Sequence, residues 1–457
     1  MRFKIYRLKI SVSFFLEKYK KVFLRLIIFI PIVILLIPSI QYFYNTTFTQ
    51  WSHTRSHARY IRRIESRLDN FTREDFLYDF DYLVYVLKTN FPSLGIIYRR
   101  YGVDMLALGD EIRAEMADES QEMNIERFIW LTRNDFLNRA RQVGHLGMLQ
   151  YAEYRWLISS YESAGMSWQF HLNVLNSLPS QAIYAHHRPL LDLFPEVIPW
   201  DMQTTIEMER IEYGRIAYLG VRRMAGYLTS AESRALADFF HLVRDYEHLI
   251  IDLRGNGGGS QLFFDHYITR SLIGTPISGQ LYYFFMAGER NMHFMQDNLG
   301  SILKSEFEID RLSQLVPNVV FSDYVQNDLT LMDYHFRAGH RVVPLPRHER
   351  NPFRGEIWML IDGRGFSATQ FVVDFHRYSG FATLVGETTG GMMGTPWHSV
   401  LFALPNTGLI IRYDPAYVIN PHSSRPLEKG TEPHYFNRPG LDALETVLEM
   451  IKERSYE

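Results

Sequence analysis

Apolar residues fall into two rhythms along this 457-residue chain. Phe76, Phe80, Leu83, Val84 and Leu87 recur at helical spacing, with Thr72-Arg73-Glu74-Asp75 ahead of them as a capping box and Asn90-Phe91-Pro92 as the stop. A further helix is predicted over Ile125–Arg141. Gly144-His145-Leu146-Gly147 follows it directly, as a tight turn with an exposed imidazole. From about 205 the pattern changes to alternating strands and helices. Gly214–Val221 reads as a strand. Ser230–Tyr246 reads as a helix with Ala235, Leu236, Phe239, Phe240 and Val243 on one side. His248–Arg254 reads as a buried strand that runs into Gly255-Asn256-Gly257-Gly258-Gly259-Ser260 and a helix from Gln261. Gly355–Ile361 is a second buried strand, and Ala368, Phe371, Val372 and Phe375 mark the helix after it. A strand at Ala382–Gly386, a hairpin over Phe402–Ile411, a turn at Leu427–Pro433 and an amphipathic helix at Leu441–Glu453 complete the order. Residues of about 286–350 break the pattern and read as an insertion.

The N-terminus has its own signature. Residues 1–25 are basic, and Leu26 to Tyr44 read LIIFIPIVILLIPSIQYFY. As a helix that run is about 28 Å long, close to the hydrocarbon thickness of a bilayer. No small-x-small cleavage site follows, so a retained signal anchor is expected, with the bulk of the chain outside the cytoplasm. The expected organisation is a basic segment (1–25), a transmembrane helix (26–44), a stalk (45–68), a helical subdomain carrying His145 (69–165), and a core (205–457) with the insertion inside it.

Composition narrows the chemistry. A net charge of −3 gives no electrostatic reason to expect nucleic acid, and the absence of cysteine excludes disulfides and a thiolate nucleophile. No H-E-x-x-H occurs, so a zinc peptidase is not expected. Ser367 stands where a strand hands over to a helix, near unpaired amides and the positive end of the dipole. That place suits either an N-cap or a nucleophile. The glycine run after Arg254 departs from a dinucleotide fingerprint, because Ser260 occupies its last glycine position. Its other use is to aim backbone N–H groups at a developing oxyanion.

Three segments together carry a resemblance: IIDLRGNGGG at Ile250–Gly259, Gly363–Gln370 with LVGETTG at Leu384–Gly390, and GTEP at Gly430–Pro433. They resemble the tricorn-core and C-terminal-processing serine peptidases, over about residues 70–450. The resemblance implies a crotonase-like α/β core of repeated β-β-α units beside an N-terminal helical subdomain. The processing branch uses a lysine in the glycine-rich loop after the serine, where this chain has Gly390-Gly391-Met392-Met393-Gly394. The segment at about 165–205 is also too short for that branch's PDZ module. Both features favour the tricorn-like branch, which implies Ser367 as nucleophile, His145 as base and Glu428 as the orienting carboxylate, with Glu432 a rival. The amides of Gly257 or Gly258 and of Ala368 would hold the oxyanion. His376, His398 and His422 are alternative bases. Val143, Leu146 and His434 depart from the family's usual residues beside the base and near the end. No cofactor is implied. The expected partners are a peptide or protein substrate and, through 26–44, a membrane; oligomeric state is left open. A catalytically silent peptide-binding protein on the same scaffold is the alternative, and an acyl-CoA enzyme of the same fold is disfavoured for want of a basic nucleotide site.

Overall fold

The computed structural model describes residues 70–164, 169–191, 206–224, 227–299, 334–344, 352–391, 399–420, 422–423 and 427–455. The expected basic segment, anchor and stalk lie outside them. Among the described residues no helix is long and apolar enough to cross a membrane.

The helical region opens with α1 (Arg73–Asn90), α2 (Leu94–Tyr101), α3 (Met105–Ala117) and α4 (Ile125–Trp130). The capping box at Thr72 and Asp75 is present, with both reciprocal bonds made. The single helix expected over Ile125–Arg141 is instead interrupted. After α4 the backbone widens to a π turn (Leu131–Phe136) and then tightens to a 3-10 turn (Leu137–Ala140). Such departures cluster at functional sites, and this one feeds the turn that carries His145. Strand β1 (Gly147–Met148) follows, then α5 (Tyr151–Ala164), α6 (Gln169–Leu175) and α7 (Leu178–His186). Helices therefore continue past the boundary expected at 165.

The core is a mixed α/β fold around a six-stranded sheet. Its strands are β2 (Ile206–Glu212), β3 (Ile216–Val221), β4 (His248–Asp252), β7 (Glu356–Ile361), β8 (Thr383–Gly386) and β12 (Tyr435–Phe436). They lie in the order β12-β8-β7-β4-β3-β2, all parallel except β2, which runs antiparallel to β3. The central strands are buried on both faces, which explains their unbroken apolar runs. Ala217, Leu219, Leu249, Ile251, Ile357 and Met359 face α8 (Ser230–Val243), the helical turns at 261–272 and the helix that follows Ser367. Ile216, Tyr218, Ile250, Trp358 and Leu360 face the C-terminal helix Ala443–Arg454. This is the two-residue alternation of a strand applied to a sheet with two covers.

Two smaller sheets flank it. β5 (Ile277–Met286) pairs with β6 (Tyr334–Val343) and β11 (Ala416–Ile419), so the expected insertion leaves and returns through paired strands. Helix α9 (Glu289–Leu299) lies within it. The expected hairpin is β9 (Val400–Ala403) and β10 (Ile410–Tyr413), and β10 also pairs with β1. Its turn is tied to α1 by Asp79, which accepts the amides of Asn406 (2.8 Å) and Thr407 (2.7 Å) and the Thr407 hydroxyl (2.7 Å). Burial drives the Asp79 carboxyl above its ordinary range despite those bonds. The helical region and the core belong to one compact unit, Leu68–Glu457.

Candidate active site

Strand β7 delivers the nucleophile. Just past its end, Asp362 accepts the amides of Gly255 (3.1 and 3.0 Å) and Arg364 (3.0 Å), and its carbonyl takes the N–H of Gly365 (3.0 Å). These bonds pin the turn before Ser367 to the glycine turn after β4. Ser367 then opens α10 (Ala368–Ser379) at φ 55°, ψ −123° and makes no capping bond. Ser367 holds the N-cap position, its carbonyl accepting the Phe371 amide (3.2 Å), but its hydroxyl is not spent on capping. Positive φ costs an L residue about 1–2 kcal/mol, which the surrounding bonds must hold in place.

The glycine turn lies against it. A Cβ on Gly258 would stand 2.9 Å from the Ser367 Cβ and 2.9 Å from the Phe366 carbonyl, and the residue has φ +118°. Only glycine fits there. Asn256 braces the turn: its Oδ1 accepts the Gly258 amide (2.9 Å) and the Thr369 hydroxyl (2.8 Å), and its Nδ2 donates to the Val221 carbonyl (2.9 Å). This corrects one expectation. The Gly258 N–H is engaged by Asn256, whereas those of Gly257 and Ala368 donate to no acceptor among the described residues.

The base comes from the helical region. Arg141, Gln142 and His145 have φ of 47°, 60° and 49°, and Gly144 between them has 57°. With Ser367 they are the positive-φ non-glycine residues among the described residues. Backbone strain is thus concentrated on the proposed nucleophile and the proposed base, where it is commonly stored for function. The turn is held by the Asp414 amide on the Gly144 carbonyl (2.7 Å) and by Arg412 Nε on the His145 carbonyl (3.2 Å). His145 Nδ1 meets Asp414 Oδ2 at 2.5 Å, and Ser399 Oγ donates to Asp414 Oδ1 at 2.7 Å. The imidazole also packs on the ring of Phe366, centroids 5.4 Å apart, one residue before Ser367. Nε2 is the nitrogen left for the hydroxyl. The two are not hydrogen-bonded to each other, a common looseness that closes when substrate is engaged.

Glu428 does not orient the imidazole. Its carboxylate faces Arg99, Nη2 to Oε1 at 3.2 Å, with the Tyr417 hydroxyl at 3.5 Å. The carboxylate on His145 is Asp414, which the sequence reading passed over. An Asp-Pro closing the apolar strand Ile410–Tyr413 was the available signal, but no spacing links it to His145. Of the rival bases, His376 is buried against the Thr269 hydroxyl (3.0 Å), His422 packs on Tyr378, and His398 lies outside the described residues.

A strained serine at a strand-to-helix turn, a carboxylate-bound imidazole packed on the preceding residue and two open amides are the parts of a serine hydrolase. The profile of peptidase family S41 matches residues 215–436. Those residues are an S41 core, and the chain is a serine-type peptidase. Solved structures agree on the fold. A candidate peptidase from Parabacteroides merdae ATCC 43184 is 17% identical, with a TM-score of 0.50 over 84% of this chain and 96% of that one. Mature CPAF is 13% identical, with a TM-score of 0.50 over 84% of this chain and 95% of that one. A search among curated proteins returns no match.

Proposed function

We propose that the chain is a membrane-anchored endopeptidase in which Ser367, His145 and Asp414 act together. The observation that carries this reading is the imidazole itself, bonded to a buried carboxylate on Nδ1 and packed on Phe366, the residue that precedes the serine. Asp414 accepts the Nδ1–H and so holds the tautomer whose Nε2 lone pair is free. Nε2 takes the proton as Ser367 Oγ attacks the scissile carbonyl, then returns it to the leaving amine. Water repeats the sequence on the acyl-enzyme. The Gly257 and Ala368 amides receive the oxyanion; removing one such donor typically costs about 3 kcal/mol of barrier. The Ala368 donor also sits at the first turn of α10, where the dipole favours negative charge.

The unit β2-β3-α8 supports a crotonase-like β-β-α plan for the core. The apolar run 26–44, flanked by basic residues, supports a single anchor with the peptidase outside the cytoplasm. A fluorophosphonate probe tests the chemistry: it should label Ser367, and the label should disappear in Ser367→Ala and fall steeply in His145→Ala. A protein that binds peptide tightly but takes no label at Ser367 would be the silent binder instead.

A further inference from the structure

Glu428 is left with a buried carboxylate and no place in the catalytic set. Its surroundings give it another task. The carboxyl end of α2 presents Arg99, Arg100 and Tyr101 in succession. Arg99 pairs with the Glu428 carboxylate (3.2 Å), and Arg100 donates to the Glu428 carbonyl (2.8 Å) and the Gly390 carbonyl (3.4 Å). Tyr101 receives the guanidinium of Arg141 over its ring, 4.8 Å from the centroid. One helix end therefore touches both halves of the site.

On one side Arg141 is the first residue of the strained turn that ends in His145. On the other, the layer that Arg99 and Arg100 grip lies directly behind the nucleophile. Gly390 N–H donates to the Gly365 carbonyl (2.8 Å), and Phe366 bridges Gly391. A Cβ on Gly391 would come within 2.5 Å of the Glu428 carbonyl, so these backbones are in close contact. A buried carboxylate is stable only when paired, which makes Glu428 a firm anchor for the helix end.

We propose that Arg99 and Glu428, with Arg100, form a positioning clamp that sets the gap between the His145 imidazole and the Ser367 hydroxyl. The inference rests on the assignment of His145 and Ser367 as base and nucleophile. It places Glu428 outside the proton-transfer chain and predicts that its loss acts through geometry.

The test uses the full chain, with Arg99→Gln, Glu428→Gln, the double variant, and Asp414→Asn alongside. Active sites are counted by fluorophosphonate labelling at completion, and rates are expressed per labelled site. Each clamp variant should lower kcat about 10-fold with KM within twofold and the count of sites unchanged, with labelling slowed in parallel. The double variant should be no worse than either single, because both remove one interaction. Asp414→Asn should fall about a hundred times further. Three results would overturn the clamp: Glu428→Gln as damaging as Asp414→Asn, the two clamp effects multiplying in the double variant, or full rates per site with fewer sites labelled. Turnover surviving in Ser367→Ala would overturn the underlying assignment instead, and that outcome is separately visible.

Discussion

The two halves of the site are built in opposite ways. The nucleophile half sits on the parallel sheet, at the carboxyl ends of β4 and β7, where α/β folds gather their chemistry. Its geometry is set by one carboxylate and by close backbone packing: Asp362 accepts the amides of two turns, and Gly258 lies against Ser367 with no room for a side chain. The base half has no sheet under it. His145 hangs from a turn of left-handed residues at the end of an unravelling helix, and side chains from β10 and the residue after it restrain it. A scaffold of strands makes one half rigid. The other is precise only while Asp414, Arg412 and the α2 clamp all hold, so it is the half where single substitutions should change rate before they change the fold.

The largest effect breaks the rigid half. Ser367→Gly should lower turnover at least ~10⁴-fold. Because the residue stands at φ 55°, the same change relieves strain and should raise stability by about 1 kcal/mol. An inactive protein with a higher Tm is the expected outcome. An inactive protein with a lower Tm would mean that the serine conformation is not strained at all.

Next comes the base half. Asp414→Asn should cost ~10³- to 10⁴-fold in kcat, since an amide at this position no longer enforces the productive tautomer. KM should hold within a few fold. Activity near that of the unchanged protein would remove Asp414 from the mechanism.

The contrast between these halves also explains what the sequence could tell. Ser367, the glycine turn and the strands before them announce themselves, because a buried parallel strand followed by glycines is written in consecutive residues. His145 was legible only through the family resemblance, as a histidine between two glycines. Asp414 was not, and Glu428 was mistaken for it. A carboxylate–imidazole contact joins residues 269 positions apart, and nothing in local spacing records it. Both acids are buried and both sit late in the chain; only their neighbours, His145 for one and Arg99 for the other, distinguish them. The broken helix over 125–140 escaped for a related reason. Its apolar spacing is helical throughout, so periodicity does not mark where the backbone widens.

A finer test separates the two glycines of the oxyanion turn. Gly258→Ala drives a methyl into Ser367 at a φ that alanine avoids, and should cost ~10²-fold or more in kcat, on the scale of losing an oxyanion donor. At Gly257 a Cβ meets nothing within 4 Å, so Gly257→Ala should retain activity within a few fold, keeping its amide for the oxyanion. Equal losses in the two variants would show that the turn tolerates no side chain for a reason unrelated to its contact with the serine.

The smallest effect belongs to the far end of the rigid half, where no chemistry occurs. His248 begins β4, and its Nδ1 accepts the indole N–H of Trp358 at 3.3 Å. Burial holds its imidazole below the ordinary range; Glu356 and Glu247 oppose that shift, and Arg215 and Arg454 add to it. The unfolded chain therefore takes up a proton, near pH 6.5, that the folded one still declines. Stability from this group is fully present above that pH and is lost as the pH falls. His248→Gln keeps an acceptor but cannot titrate, so its Tm should decline less than that of the unchanged protein between about pH 7.5 and 5.5. Parallel Tm curves would mean that the strand root does not sense pH. Turnover per labelled site should be the same in both proteins, because a rigid sheet lies between this histidine and Ser367, and the fragile half of the site is carried by other segments.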